Sequence, residues 1–127
     1  MPRLLLVSLV VLALGACSSD DATSSTTTEP ACVVAEDASI TLVAKDLEWN
    51  TDCLRAPAGP LTIVVDNQDD GDNHNVHLPD APESPSTDLV QGPSTTELDV
   101  TLVPGDYEFI CDIHPNMVGT LTVEPTN

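Results

Sequence analysis

From residue 38 onward, apolar side chains recur at every second position, and no stretch repeats them at the 3.6-residue spacing of an amphipathic helix. Ile40, Leu42 and Ala44 alternate with Thr41, Val43 and Lys45, and Leu61, Ile63 and Val65 with Thr62, Val64 and Asp66. The same alternation runs through Glu97–Leu102, Tyr107–Asp112 and Thr120–Glu124. Successive side chains of a strand point to opposite faces, so each run offers one apolar face to a core. Turn residues separate the runs: Pro57-Ala58-Gly59-Pro60, Asp69-Asp70-Gly71-Asp72, Gly92-Pro93 and Pro104-Gly105. The proline-bearing stretch Asp80–Ser94 reads as a long loop. Five or more short strands broken in this way predict an all-β sandwich. At 127 residues the chain has room for one such domain and not two.

The first thirty residues follow a different logic. Arg3 precedes an apolar run, Leu4–Leu14, broken only by Ser8. That run is too short to span a bilayer, which takes about 20 residues. A positive start, a short apolar stretch and then small residues describe a secretory signal. Here the small residues are Gly15-Ala16, and Cys17 follows at once. The segment resembles the bacterial lipoprotein signal, which implies cleavage after residue 16, lipid on Cys17 and a membrane anchor. The plainer reading is an ordinary signal peptide with a chance cysteine. Ser18–Pro30 contains one alanine and no larger apolar residue, so it buries almost nothing and serves as a tether. Thirteen residues reach on the order of 40 Å when extended. The expected organisation is a signal over 1–16, an anchored linker over 17–31 and a folded domain over 32–127. The domain is placed outside the cell's interior, on the outer face of the cytoplasmic membrane or in a periplasm.

Export bears on the cysteines. Cys32 and Cys53 lie in a compartment where disulfides persist, and the expected role is a structural bond. The other reading, a two-thiol metal site, has no histidine nearby. Charge bears on partners. Three basic residues stand against 21 acidic ones, which excludes nucleic acid, because phosphate binding needs clustered Lys and Arg.

Cys111 then has no partner. It opens Cys111-Asp112-Ile113-His114-Pro115-Asn116-Met117, which places a thiol, an imidazole and a thioether within seven residues. Upstream, His74-Asn75-Val76-His77 offers two more imidazoles. Two His nitrogens and one Cys sulfur with a weak axial Met form the blue-copper electron-transfer arrangement. A lone Cys is ordinarily a small buried hydrophobe and a lone Met core filler. It is the grouping that argues for metal. His77 sits three residues from His74, so on a strand it faces the other way. It reads as a surface histidine, with a substitute ligand or a group behind the ligands as the alternative. Trp49 and Tyr107 read as core residues rather than electron relays.

At these residues the chain resembles the cupredoxins, of the plastocyanin, amicyanin and pseudoazurin kind. Tyr107–Cys111, His114–Met117 and Gly119–Val123 are similar to the family's last ligand loop and strand, and the Cys-x2-His-x2-Met spacing is most similar to amicyanin. Asp66-Asn67 followed by His74-Asn75-Val76 resembles the segment that supplies the first ligand. The resemblance implies a Greek-key sandwich and one type 1 copper held by His74, Cys111, His114 and Met117. It also implies that Asn75 ties the two ligand loops together.

The expected function is one-electron transfer by a monomeric carrier, not catalysis. A two-copper electron-transfer centre needs a second Cys near Cys111, and multicopper oxidases and copper nitrite reductases need further histidines, of which only His77 is spare. The rival reading is copper storage, delivery or tolerance with the same ligands. A third is a partner-binding module that holds metal only incidentally. Asp66, Asp69, Asp70 and Asp72 precede His74 and Asp112 follows Cys111, a density that suits either solubility or steering toward basic redox partners such as cytochromes.

Overall fold

The structure, a computed structural model, describes residues 31–127. The expectations for residues 1–30, including lipid on Cys17, lie outside the described residues.

Every alternating run forms a strand. The elements are β1 (Val33–Val34), β2 (Ser39–Lys45), β3 (Glu48–Trp49), β4 (Cys53–Pro57), β5 (Gly59–Asn67), β6 (Asn73–His74), β7 (Val90–Gln91), β8 (Ser94–Leu102), β9 (Gly105–Cys111) and β10 (His114–Glu124). No helix occurs among the described residues. The alternation of β2 is realised with Ile40, Leu42 and Ala44 buried, and that of β5 with Leu61, Ile63 and Val65 buried. β4 was hidden in the sequence, because its alternation of Leu54 and Ala56 is only two residues deep and runs into the Pro57–Pro60 turn.

The strands form two four-stranded sheets, ordered β1-β4-β10-β9 and β3-β2-β5-β8, and a small β6-β7 ribbon in the long connection between β5 and β8. The chain passes from one large sheet to the other between β3 and β4 and back again before β5. β2 and β5 consequently pair in parallel, as do β4 and β10, while β5-β8 and β9-β10 are antiparallel. Between the sheets lies one core, in which Leu42, Leu54, Ile63, Phe109 and Leu121 are fully enclosed. Tyr107 belongs to this core and closes a corner, its hydroxyl donating to Val103 O at 2.8 Å. Gly119 lets β10 lie against Phe109: a Cβ there would meet Phe109 Cζ at 2.2 Å and Asp52 O at 2.7 Å. Cys32 and Cys53 are joined in a disulfide, as expected, and it pins the chain entering β1 beside β4.

Candidate metal centre

The Cys-x2-His spacing is a hairpin device. Cys111 ends β9, His114 begins β10, and the two are directly paired across a two-residue turn. Directly paired residues project on the same face of a sheet. Cys111 Sγ therefore lies 3.6 Å from His114 Nδ1. The next pair in the ladder is Ile110 with Val118, one step along β9 but four along β10. Pro115, Asn116 and Met117 form the resulting bulge, which turns Met117 back inward, where it is buried in contact with Cys111 and Ala44.

The third donor comes from the other connection. His74 ends β6 and is fully buried. Beyond it, His77 pairs antiparallel with Ile110 through two 3.0 Å backbone hydrogen bonds, which lays residues 74–77 along the end of β9. Asn75 thereby comes level with Asp112. Its Nδ2 donates to Asp112 Oδ2 at 2.6 Å, and its Oδ1 accepts from Asp112 N–H at 2.9 Å. This is the tie between ligand loops that the resemblance implied. His74 Nδ1 then stands 3.8 Å from Cys111 Sγ and 3.1 Å from His114 Nδ1.

These three donor atoms converge on one point. For bonds of about 2.0 Å to nitrogen and 2.3 Å to sulfur, the separations correspond to angles of roughly 100° between the imidazoles and near 120° between each imidazole and the sulfur. Two imidazoles, a thiolate and a buried thioether form a type 1 copper donor set, and the geometry fits one ion. All four residues expected as ligands are brought together.

His77 fits the alternative left open for it, a group behind the ligands. It is half-buried, and neither ring nitrogen reaches the donors. Nδ1 lies 2.7 Å from Asp112 Oδ1 and Nε2 lies 2.7 Å from Ser84 Oγ. It braces the turn behind Cys111 through Asp112. The hydrogen bonds from His77 and Asn75 hold the Asp112 carboxyl below its ordinary pKa, against burial and with help from the charge of His77.

Asp69 is the residue that sequence reasoning misplaced. In a run of aspartates it read as solvated surface, yet it is buried, with Oδ2 2.8 Å from His74 Nε2. Leu47 N–H and Asp46 N–H also donate to it. Burial pushes its carboxyl up, but the hydrogen bonds from Leu47, His74 and Asp46 and the charge of His74 outweigh burial and hold it below the usual range. Asn67 anchors this loop: its Oδ1 accepts from Asp69 N–H at 3.0 Å, and its Nδ2 donates to Asp72 O and Val90 O. Trp49, read as core, is partly buried and joins the core to the metal centre, its ring centroid 6.3 Å from that of His74 and 6.4 Å from that of Phe109.

Comparisons with known proteins agree with this fold. No curated protein matches the sequence significantly. Among solved structures, the chain is similar to a reduced tyrosine-for-tryptophan mutant of amicyanin, with 22% identity and a TM-score of 0.58 over 71% of this chain and 86% of that one. It is similar to auracyanin A, a "blue" copper protein from the green thermophilic photosynthetic bacterium Chloroflexus aurantiacus, with 23% identity and a TM-score of 0.60 over 68% of this chain and 98% of that one. It is also similar to part of a copper-containing nitrite reductase from Thermus scotoductus SA-01, with 25% identity and a TM-score of 0.58 over 78% of this chain but only 24% of the reductase. These likenesses are of fold. The family model for the cupredoxin-like domain matches residues 5–123, and this chain belongs to that family.

Proposed function

We propose that this protein is a mononuclear blue-copper electron carrier that works outside the cytoplasmic membrane, anchored through Cys17 and exchanging electrons with basic redox proteins. The observation that carries the reading is the convergence of His74 Nδ1, His114 Nδ1 and Cys111 Sγ within 3.1–3.8 Å of one another, with Met117 buried in one cluster with Cys111.

Bound copper would supply a one-electron couple, with sulfur suiting Cu(I) and imidazole suiting Cu(II). The protein's part is to keep the donors still. Cys111 and His114 are fixed by hairpin pairing, and Asn75 binds their turn to the His74 segment at two points. Donors held by a folded sandwich need little rearrangement when one electron enters or leaves. Cys111, Met117 and His74 are buried, which keeps water from the sulfur donors. His114 is half-buried and Pro115 beside it is exposed, so the edge of the His114 ring is the path by which the electron would reach a partner.

The remaining histidine argues against a further copper centre in this domain. The chain has three histidines, and His77 is engaged by Asp112 and Ser84.

The test is Cu(II) titration of the purified domain, followed by visible spectroscopy and electrochemistry. One equivalent of copper, an intense thiolate-to-copper band and reversible cycling are expected. Absence of the band would refute the type 1 reading. Rapid release of Cu(I) to acceptor proteins, without cycling, would favour copper handling.

A further inference from the structure

The carboxylate of Asp69 stands where three separate parts of the metal centre meet. Its Oδ2 meets the ring of His74, with Nε2 at 2.8 Å, and also accepts from Leu47 N–H, while its Oδ1 accepts from Asp46 N–H. It thus holds both N–H groups of the two-residue turn between β2 and β3. Both turn residues have positive φ, 55° and 60°. A leucine seldom sits in that region. The same turn holds the ligand loop, because Leu47 O accepts from Asn116 Nδ2 at 2.7 Å. Asn116 lies between His114 and Met117 in sequence. A continuous chain of hydrogen bonds therefore runs from His74 through Asp69 and the turn to the bulge that carries Met117.

We propose that Asp69 is a positioning residue for the copper centre: its one carboxylate fixes His74 through Nε2 and, through the Asp46–Leu47 turn, seats Asn116 of the Cys111–Met117 loop. This inference rests on the type 1 copper reading. An ionised carboxylate only accepts hydrogen bonds, so His74 Nε2 must carry the ring proton. Nδ1 is then left with its lone pair toward Cys111 and His114. A buried negative charge bonded to a ligand imidazole also makes that ligand a stronger donor, which favours Cu(II) over Cu(I). An amide at position 69 could keep His74 and Leu47 on its one oxygen, as Oδ2 does, but its NH2 would then face the Asp46 N–H.

The experiment begins with the metal-free wild-type domain at neutral to mildly alkaline pH, using long-range nitrogen–proton NMR of the imidazoles. His74 is expected as the Nε2–H tautomer. Finding it as the Nδ1–H tautomer would overturn the proposal, whatever any variant does and whether or not copper is the natural metal. Asp69→Ala, which has no acceptor, should then lose the fixed tautomer, expose the Asp46 and Leu47 amides to faster hydrogen exchange, and bind Cu(II) about 10–100-fold more weakly. Each tenfold loss selective for Cu(II) raises the one-electron potential by about 59 mV. An unchanged tautomer and potential in Asp69→Ala would reduce Asp69 to packing. Asn116→Ala removes an exposed side chain and tests the second link without touching the buried carboxylate. It should speed copper loss while leaving the His74 tautomer in place, and unchanged copper release would refute the link to the ligand loop. If the wild type shows no blue band with Cu(II), the copper reading fails while the tautomer result still decides the hydrogen-bond assignment.

Discussion

At the scale of single residues, the site separates atoms that meet the metal from atoms that hold them. Cys111→Ala should abolish the visible copper band, because no other free thiol occurs among the described residues. His77→Ala should leave the band in position, since its ring faces Asp112 and Ser84. It should nonetheless lower stability by about 1 kcal/mol through the lost hydrogen bonds, measured by chemical denaturation. A shifted or lost band in His77→Ala would return that residue to the ligand set. Acid should also weaken the fold. Asp69 and Asp112 have folded pKa values below the reference of 3.8. A carboxyl depressed in the folded state stabilises it fully above the unfolded pKa, and that contribution is lost as pH falls through the folded value. Stability of the metal-free domain should therefore drop below about pH 4, and less steeply in Asp112→Asn. An identical acid profile for the two proteins would show that the network around Asp112 does not survive in solution.

At the scale of elements, what was legible depended on how local the cause was. Five strands could be read because period-two alternation is a local property of the chain, and so could the hairpin ligands, because Cys111 and His114 are neighbours through one turn. β4 was not legible, because its place between β1 and β10 comes from sheet pairing rather than pattern. His74 could be chosen over His77 only through the family likeness, and the structure supplies the reason: the pairing of His77 with Ile110 turns its ring toward Asp112 and away from the donors. Nothing in the sequence separates Asp69 from Asp70 and Asp72. Only the fold, by curling the loop around Asn67, buries the first and exposes the other two. The Gly119 contact is another case in which packing alone decides. Gly119→Ala should destabilise the β9-β10 pairing by about 1–3 kcal/mol, because a Cβ there meets an enclosed ring and a backbone oxygen that cannot both withdraw. Equal stability by denaturant titration would mean that the two strands lie farther apart than this structure has them.

At the scale of the whole molecule, the proposed function is that of a charged carrier on a tether. Cys17→Ser should move the protein from membrane to soluble fractions. Membrane retention unchanged by that substitution would remove the lipid anchor from the proposal. The formal net charge of -18 sets what the carrier can meet. Like-charged partners are repelled and basic ones drawn in, an effect felt mainly in the association rate. The structure changes which carboxylates can do this near the copper. Asp69 is buried against His74, and Asp112 is tied to Asn75 and His77, whereas Asp70 and Asp72 are exposed on the loop leading to His74. Electron exchange with a basic cytochrome should therefore slow as salt rises, over the range in which the Debye length falls from about 30 to 8 Å. Asp70→Asn with Asp72→Asn should flatten that dependence while leaving the potential and the visible band in place, since neither side chain touches a ligand. Neutralising Asp69 would not be a clean test, because it alters His74 as well as the charge. A rate indifferent to salt, or one equally fast with an acidic cytochrome, would leave the exposed carboxylates with solubility as their only role.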